Sequence, residues 1–458
     1  MKSITLLTIL IACFFGMSSK ARDRGPQETD PYDPSGYWSG AVIQRGSVLR
    51  VNVAIVKNEG GFAAEVYFPD WIFYAPMDKN AVAVAGDTLV IDDFLGGDAQ
   101  LTIDAKSSQM FGSVGGGNNA QRLHLKRMPS PPISSVYTRP TTFQSADGTK
   151  LSGTLTFPAG SKRLGGIVMV RGRGCAARVN GKARFFARYG VGVLTFDKRG
   201  AGQSEGDCKT FTFHDLTSDA VAALSHLAAH PQIDRDRVGF LGESAGAWTI
   251  QAATERQRLS DVAVKPAFLI TWIGPATSIL QQQISSAGPY GEAIGLTKAQ
   301  QKLLVDATMI IADSKLSDDE AFMRLDAIRR AAQAQGWLER GFGEDDIPAT
   351  RADMERLWLR RFRYDPGPFL STLGDLPYLA IFGGDDPIVP VAENIAALEG
   401  RGPNVDISIV REGGHGYGYE EQSRTLPNGK EVWIFEGSQT QYAAETIRFL
   451  RQIKILAR

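Results

Sequence analysis

From about residue 34 to 128 apolar and polar residues alternate in short runs (Leu49–Val56, Phe62–Tyr67, Thr88–Ile91, Leu101–Ile103). The runs are punctuated by Gly60-Gly61, Gly86-Asp87, Gly96-Gly97 and Gly115-Gly116-Gly117. A period of two over so few residues marks half-buried strands, and their even spacing predicts a small antiparallel sandwich or barrel. Met128-Pro129-Ser130-Pro131-Pro132 then forms a stiff, extended linker and a domain boundary. Beyond it the pattern changes. Val136–Phe143 and Lys150–Phe157 flank the hairpin turn Asp147-Gly148, and Gly166–Val170, Val191–Phe196, Val238–Leu241, Ala267–Trp272, Tyr378–Phe382 and Val405–Val410 are apolar strands. Ala183–Tyr189, Leu216–Ala229, Ala245–Arg258 and Ser438–Lys454 read as helices between and after them. Apolar strands alternating with helices predict an α/β domain, a mostly parallel sheet covered on both faces. About a hundred residues of helical pattern separate the strands at 267–272 and 378–382, far more than a crossover needs. They predict a helical lid at about 276–366. The expected organisation is an all-β domain over 22–128, a linker over 129–135 and the α/β domain over 136–458.

The first residues carry a separate signal. Lys2 precedes the apolar run Ile4–Met17, and Ser18-Ser19-Lys20-Ala21 follows, the layout of a signal peptide cleaved after Ala21. This predicts export, periplasmic or secreted. Leu10-Ile11-Ala12-Cys13 offers a second route, a lipoprotein anchored at Cys13, although Phe14-Phe15-Gly16-Met17 makes a poor tether. The run is too short to span a bilayer, and no other segment is long enough.

Length and charge narrow the classes. A chain of 458 residues exceeds one ordinary core and implies roughly two to four domains. Lys+Arg and Asp+Glu number 50 each, so there is no basic excess for a nucleic-acid partner. The basic clusters Lys182–Arg188 and Arg360–Arg363 are interleaved with apolar residues and read as solvated helix faces.

Gly242-Glu243-Ser244-Ala245-Gly246 matches G-x-S-x-G, a sharp strand-to-helix turn that exposes a serine hydroxyl. With 49 glycines in the chain the pentapeptide alone is weak. Its context, a strand leading in and a helix leading out, makes Ser244 a candidate nucleophile. A serine hydroxyl needs a base, and in the order Ser, acid, His only His415 lies C-terminal to Ser244. It sits in Glu412-Gly413-Gly414-His415-Gly416, after the strand Val405–Val410. His124 reads as a surface or filler residue. His226 and His230, at i, i+4, lack a zinc helix's Glu and read as structural. His214 opens a helix, where capping suits it better than a pocket role. The acid should follow a late strand, and Tyr378–Phe382 runs into Gly383-Gly384-Asp385-Asp386-Pro387-Ile388-Val389-Pro390. Spacing does not choose between Asp385 and Asp386.

In this order, G-E-S-A-G, G-G-D-D-P-I-V-P and G-G-H-G resemble bacterial α/β-hydrolases of the serine aminopeptidase-like and dienelactone-hydrolase-like branch. Asp197-Lys198-Arg199-Gly200-Ala201-Gly202-Gln203-Ser204 resembles that family's D-x-R-G-x-G-x-S loop. The likeness runs from about 136 to 458, weakest in the lid. Gly36-Tyr37-Trp38-Ser39-Gly40 resembles, less specifically, the β-domain preceding such hydrolases in exported bacterial proteins. The resemblance implies an α/β-hydrolase fold and selects Asp386, the acid before Pro-x-Val-Pro. It also implies oxyanion donors at the backbone amides of Ala245 and Arg173. Val170-Arg171-Gly172-Arg173-Gly174 departs from the family's His-Gly here, leaving the Arg173 guanidinium facing either a substrate carboxylate or solvent.

The implied activity is ester cleavage through an acyl-enzyme on a small-molecule substrate, or, with the same residues, cleavage of a short peptide. No metal or organic cofactor is implied. Gly200-Ala201-Gly202 is not a dinucleotide fingerprint, because its third glycine, Gly206, falls one place late. Cys175 and Cys208 remain as a pair once Cys13 is removed with the leader. In the family's strand order their loops emerge side by side, so a disulfide between them is expected in an oxidising compartment.

Overall fold

The computed structural model describes residues 32–44, 47–68, 74–76, 82–94, 97–117, 120–130, 136–160, 163–260, 264–411, 413–416, 422–425, 429, 431–434 and 439–456. The predicted leader with Cys13 and Ala21, residues 131–135 of the predicted linker, and Glu412 lie outside these described residues.

The alternating N-terminal segments close into an antiparallel barrel. Its strands are β1 (Gly36–Gln44), β2 (Ser47–Asn58), β3 (Gly61–Tyr67), β4 (Tyr74–Pro76), β5 (Val82–Ala85), β6 (Thr88–Ile91), β7 (Ala99–Asp104), β8 (Gln109–Val114) and β9 (Gln121–Met128). Eight of them form a ring in the order β2-β1-β9-β8-β7-β6-β5-β3, closed by pairing of β3 with β2, while β4 adds to β3. Closure removes the free edges that an open sheet of this size would expose. Alternation puts Val51, Val53, Ile55, Leu101, Ile103, Leu123 and Leu125 inside. Trp38 is fully buried, donating its indole N–H to the Pro34 carbonyl at 2.8 Å, with the Arg127 guanidinium 4.3 Å from its ring.

The second domain carries β10 (Val136–Gln144), β11 (Lys150–Pro158), β12 (Leu164–Val170), β13 (Gly192–Phe196), β14 (Ile233–Glu243), β15 (Leu269–Trp272), β16 (Tyr378–Gly383) and β17 (Val405–Val410). They lie in the order β10-β11-β13-β12-β14-β15-β16-β17; β10 and β11 pair antiparallel and β12 through β17 run parallel. Alternate residues of β12 face opposite ways. Val168 and Val170 join an apolar cluster with α2 (Phe213–Ala228) and α3 (Gly246–Leu259). Ile167 and Met169 join the other, with α1 (Gly181–Arg188) and α11 (Gln439–Gln452). Burial on both faces is why these strands are continuous apolar runs rather than alternating ones.

Between β15 and β16 lies the helical insertion: α4 (Ile279–Ala293), α5 (Lys298–Ala312), α6 (Asp318–Ala334), α7 (Leu338–Gly341), a 3₁₀ turn (Arg351–Arg356), α8 (Trp358–Arg361) and α9 (Gly367–Leu370). It packs on Trp248 of α3 through Ile279, Ala307, Ile311, Leu325 and Trp358. After β16 come α10 (Val391–Leu398) and, beyond β17, a hairpin of β18 (Gln422–Thr425) and β19 (Glu431–Ile434) that no sequence pattern had suggested.

Two sequence expectations are corrected. Apart from exposed Arg363, the basic clusters are not solvated faces: Lys182 is buried and donates to Glu243 at 2.6 Å, and Arg184 reaches the barrel's Glu65 at 2.8 Å. Arg360 pairs with Asp318, and the nearly enclosed Arg361 side chain donates to the Phe211 carbonyl at 2.8 Å. Nor does His214 cap its helix. Thr212 does, in a reciprocal capping box with Asp215. His226 and His230 stack on Phe143 and Phe157. Burial lowers the pKa of both rings, which keeps them neutral packing groups.

Candidate active site

Strand β14 ends at Glu243 and α3 begins at Gly246, leaving two residues to reverse the chain. Ser244 takes φ +50°, a left-handed conformation rare outside glycine. Side chains on either flank would not fit: a Cβ at Gly242 would fall 2.7 Å from the Gly246 carbonyl, and one at Gly246 would fall 2.4 Å from the Val170 carbonyl. The Ser244 N–H donates to the Trp272 carbonyl at 3.0 Å, anchoring the turn on β15.

His415 and Asp386 reach this serine from the ends of two neighbouring parallel strands. The loop after β16 is stitched to the loop after β17 by Gly384 N–H to the Val410 carbonyl at 2.7 Å and by Asp385 N–H to the Gly413 carbonyl at 3.0 Å. Asp385 is exposed, whereas the Asp386 side chain is fully enclosed. Oδ1 of Asp386 accepts the N–H groups of Ile388 at 2.8 Å and Val389 at 3.0 Å. Oδ2 lies 2.8 Å from His415 Nδ1, and His415 Nε2 lies 2.8 Å from Ser244 Oγ. An ionised carboxylate only accepts, so Nδ1 carries the proton, and Nε2 is left with a lone pair for the serine hydroxyl. The arrangement can therefore deprotonate Ser244 and hold the resulting imidazolium beside a buried negative charge.

Ala245 and Arg173 line the same cavity as Ser244 and His415. Among the described residues neither N–H has a hydrogen-bond acceptor. The Arg173 side chain, 30% exposed, stands at the cavity that holds Ser244. It bridges to the lid, pairing with Asp345 and, at 2.6 Å, with Asp346, and lies 4.7 Å from the Trp358 ring. Sequence reading missed these lid partners because nothing in a run of helical residues says which of its carboxylates meets a loop 172 positions away.

The cavity over Ser244 has a volume of about 260 Å³. Its walls are Trp248 of α3, Leu304, Ala307 and Ile311 of α5, Phe342 and Trp358, and α4 adds Gln282, Ser286 and Tyr290. Gln282 also donates to the Ile388 carbonyl, tying the lid to the loop bearing Asp386.

The D-x-R-G-x-G-x-S segment does not reach this cavity with its acid. Asp197 accepts Arg178 N–H at 2.6 Å, Arg178 Nη1 at 2.5 Å and Gln203 N–H at 2.9 Å, and Arg199 forks onto buried Asp219 at 2.6 and 2.8 Å. Cys175 and Cys208 are bonded to each other with a Cα separation of 5.6 Å. Among the described residues no group of His, Cys, Asp and Glu is arranged to hold a metal ion, and no helix is long and apolar enough to cross a membrane.

The fold agrees with the comparison of the chain with known families. A model of the alpha/beta hydrolase family matches residues 167–426, more than half of the chain, which therefore belongs to the alpha/beta hydrolase family. No curated protein matches it significantly. Among solved structures it is similar to the alpha/beta hydrolase GrgF from Penicillium sp. sh18, at 16% identity, covering 69% of this chain and 99% of that one, with a TM-score of 0.44. It is also similar to a Pyrococcus furiosus esterase, at 16% identity over 69% of this chain and 91% of that one, with a TM-score of 0.42. An acetyl xylan esterase from Paenibacillus sp. R4 aligns at 13% identity over 76% of this chain and 89% of that one, with a TM-score of 0.42.

Proposed function

We propose that this hydrolase is an exported serine esterase that cleaves carboxylic esters through an acyl-enzyme, with Ser244 as nucleophile, His415 as general base and acid, and Asp386 as the group that orients it. The observation carrying this reading is the unbroken relay from Ser244 Oγ through the His415 ring to enclosed Asp386, at 2.8 Å on each side. Ser244 Oγ attacks the ester carbonyl as its proton passes to Nε2. The tetrahedral oxyanion is held by the Ala245 and Arg173 amides, and its collapse expels the alcohol, which takes the proton from Nε2. Water then repeats the cycle on the acyl-enzyme and releases the acid. Apolar walls beside the nucleophile suit an acyl chain.

A fluorophosphonate should label Ser244 stoichiometrically, and Ser244→Ala should fold normally while losing about 10⁴-fold or more in kcat. Labelling at another residue, or turnover surviving the substitution, removes the mechanism. Chromogenic acyl esters and aminoacyl amides assayed side by side test the leaving group: faster cleavage of the amides would make the enzyme a peptidase.

A further inference from the structure

Lys198 is a buried cation beside the site to which the relay assigns no part. Its ammonium donates to the carbonyl of Gly172 and, at 3.1 Å, to that of Gly174. Among the described residues it has no carboxylate partner: the adjoining Asp197 is taken up by Arg178, and Asp219 and Asp147 by Arg199. Its charged neighbours are Arg171 and Arg173, which repel it. Burying an ammonium with no counter-ion costs several kcal/mol, and a neutral donor would tie a loop as well. The charge therefore needs an explanation beyond loop anchoring.

The bonded carbonyl supplies one. The Gly172 C=O and the Arg173 N–H belong to the same trans peptide unit, so they point in opposite directions from one plane. That unit lies against the nucleophile, since a Cβ on Gly172 would come within 2.9 Å of the Ser244 Cβ. A cation on the carbonyl oxygen draws electron density from the amide nitrogen and makes its N–H a stronger donor, as in any chain of polarised hydrogen bonds. We propose that Lys198 is the positioning residue of the oxyanion hole, its ammonium fixing and polarising the Gly172–Arg173 peptide so that the Arg173 N–H faces the developing alkoxide. The proposal rests on the acyl-transfer reading above. In acylation the negative charge grows on the substrate oxygen at the N–H end of this peptide while Lys198 holds its other end. The gain belongs to the transition state, not to ester binding.

Burial, Arg171 and Arg173 push the Lys198 ammonium down from the usual lysine range to about 7. The charge is present below that value and lost above it, so the oxyanion hole weakens as pH rises. The other charged groups lining this side are Lys209, exposed beside the disulfide, and, from the lid, the cations Arg329, Arg356 and Arg361 and the carboxylates Glu339, Glu344, Asp345 and Asp353, while Asp346 pairs with Arg173. The arginines stay cationic throughout the range assayed.

The test compares wild type, Lys198→Met and Lys198→Arg with one chromogenic ester across pH 6 to about 9.5, alongside fluorophosphonate labelling and a boronic acid that forms a tetrahedral adduct on Ser244. Lys198→Met should lose about 10- to 100-fold in kcat, less than outright removal of an oxyanion donor, with KM within about threefold. Its boronate affinity should fall in parallel with kcat. Lys198→Arg should restore kcat at pH 6 and lack the alkaline decline of the wild type, because a guanidinium does not titrate there. An unchanged kcat in the Met variant, or a loss shared equally by kcat and thermal stability that Arg does not rescue, overturns the proposal. If the Met variant does not fold, the wild-type and Arg pH profiles decide: superimposable profiles end the idea. Failure of Ser244 to label in the wild type would instead remove the acyl-transfer reading itself.

Discussion

Asp385 and Asp386 differ by one position, yet only one of them is enclosed against His415. Asp386→Asn would offer Nδ1 an amide donor and favour the tautomer with its proton on Nε2, facing the serine. We expect kcat to fall by about 10⁴-fold with the fold unchanged. Asp385→Asn, at an exposed position joined to the next loop by its backbone, should stay within about threefold of wild type, the scale of a surface substitution. Steady-state kinetics of the two variants at matched thermal stability checks this, and the opposite ranking would shift the acid by one residue. Adjacent identical side chains are a case in which sequence leaves two candidates open. Whether a carboxylate points into a core or into water depends on the direction the loop takes after β16, set by its bonds to the loop after β17.

At the scale of elements, the lid shapes the cavity. Ala307 and Ile311 lie one turn apart on α5 and both face Ser244's cavity. Ala307 is almost fully buried there, so a larger side chain must take its volume from the cavity. Ala307→Trp should retain hydrolysis of an acetyl ester and lose at least about tenfold in kcat/KM on an octanoyl ester. An equal loss on both would show that α5 does not line the acyl site. The helices themselves are legible locally. Thr297 with Gln300 and Ser317 with Glu320 are capping boxes at the starts of α5 and α6, a signal the sequence carries in four residues. Which lid side chains meet the loop after β12 is not legible, because Arg173, Asp345 and Asp346 come together only through the docking of the whole insertion.

For the whole molecule, the disulfide links the loops after β12 and β13, parallel neighbours in the sheet. The bonded cysteines are 33 residues apart, for which chain entropy predicts about 3–4 kcal/mol of stabilisation. We expect unfolded, unreduced protein taken from the periplasm or medium to titrate no free thiol. The double variant Cys175→Ser, Cys208→Ser should unfold at correspondingly lower denaturant concentration. Two free thiols per chain in that protein would exclude the bridge and, with it, one reason for proposing export to an oxidising compartment.

The sequence by itself determined what short-range pattern and residue order can encode: two kinds of domain, the strands and helices of the sheet, the turn at Ser244, and His415 as the histidine C-terminal to it. The elements and the turn follow from periodicity and from glycines required at close backbone approaches, both of which are local, and the histidine from its order along the chain. The tertiary structure alone decided barrel rather than sandwich, because ring closure depends on β2 meeting β3 as well as β1. It alone placed the Lys182 and Arg361 side chains inside rather than in water, beside the distant partners Glu243 and Asp345. It alone set Lys198 against the Gly172 carbonyl. A lysine within a glycine-rich loop gives no sign of the peptide it will polarise, because the two are 26 residues apart and meet only when β13 pairs with β12.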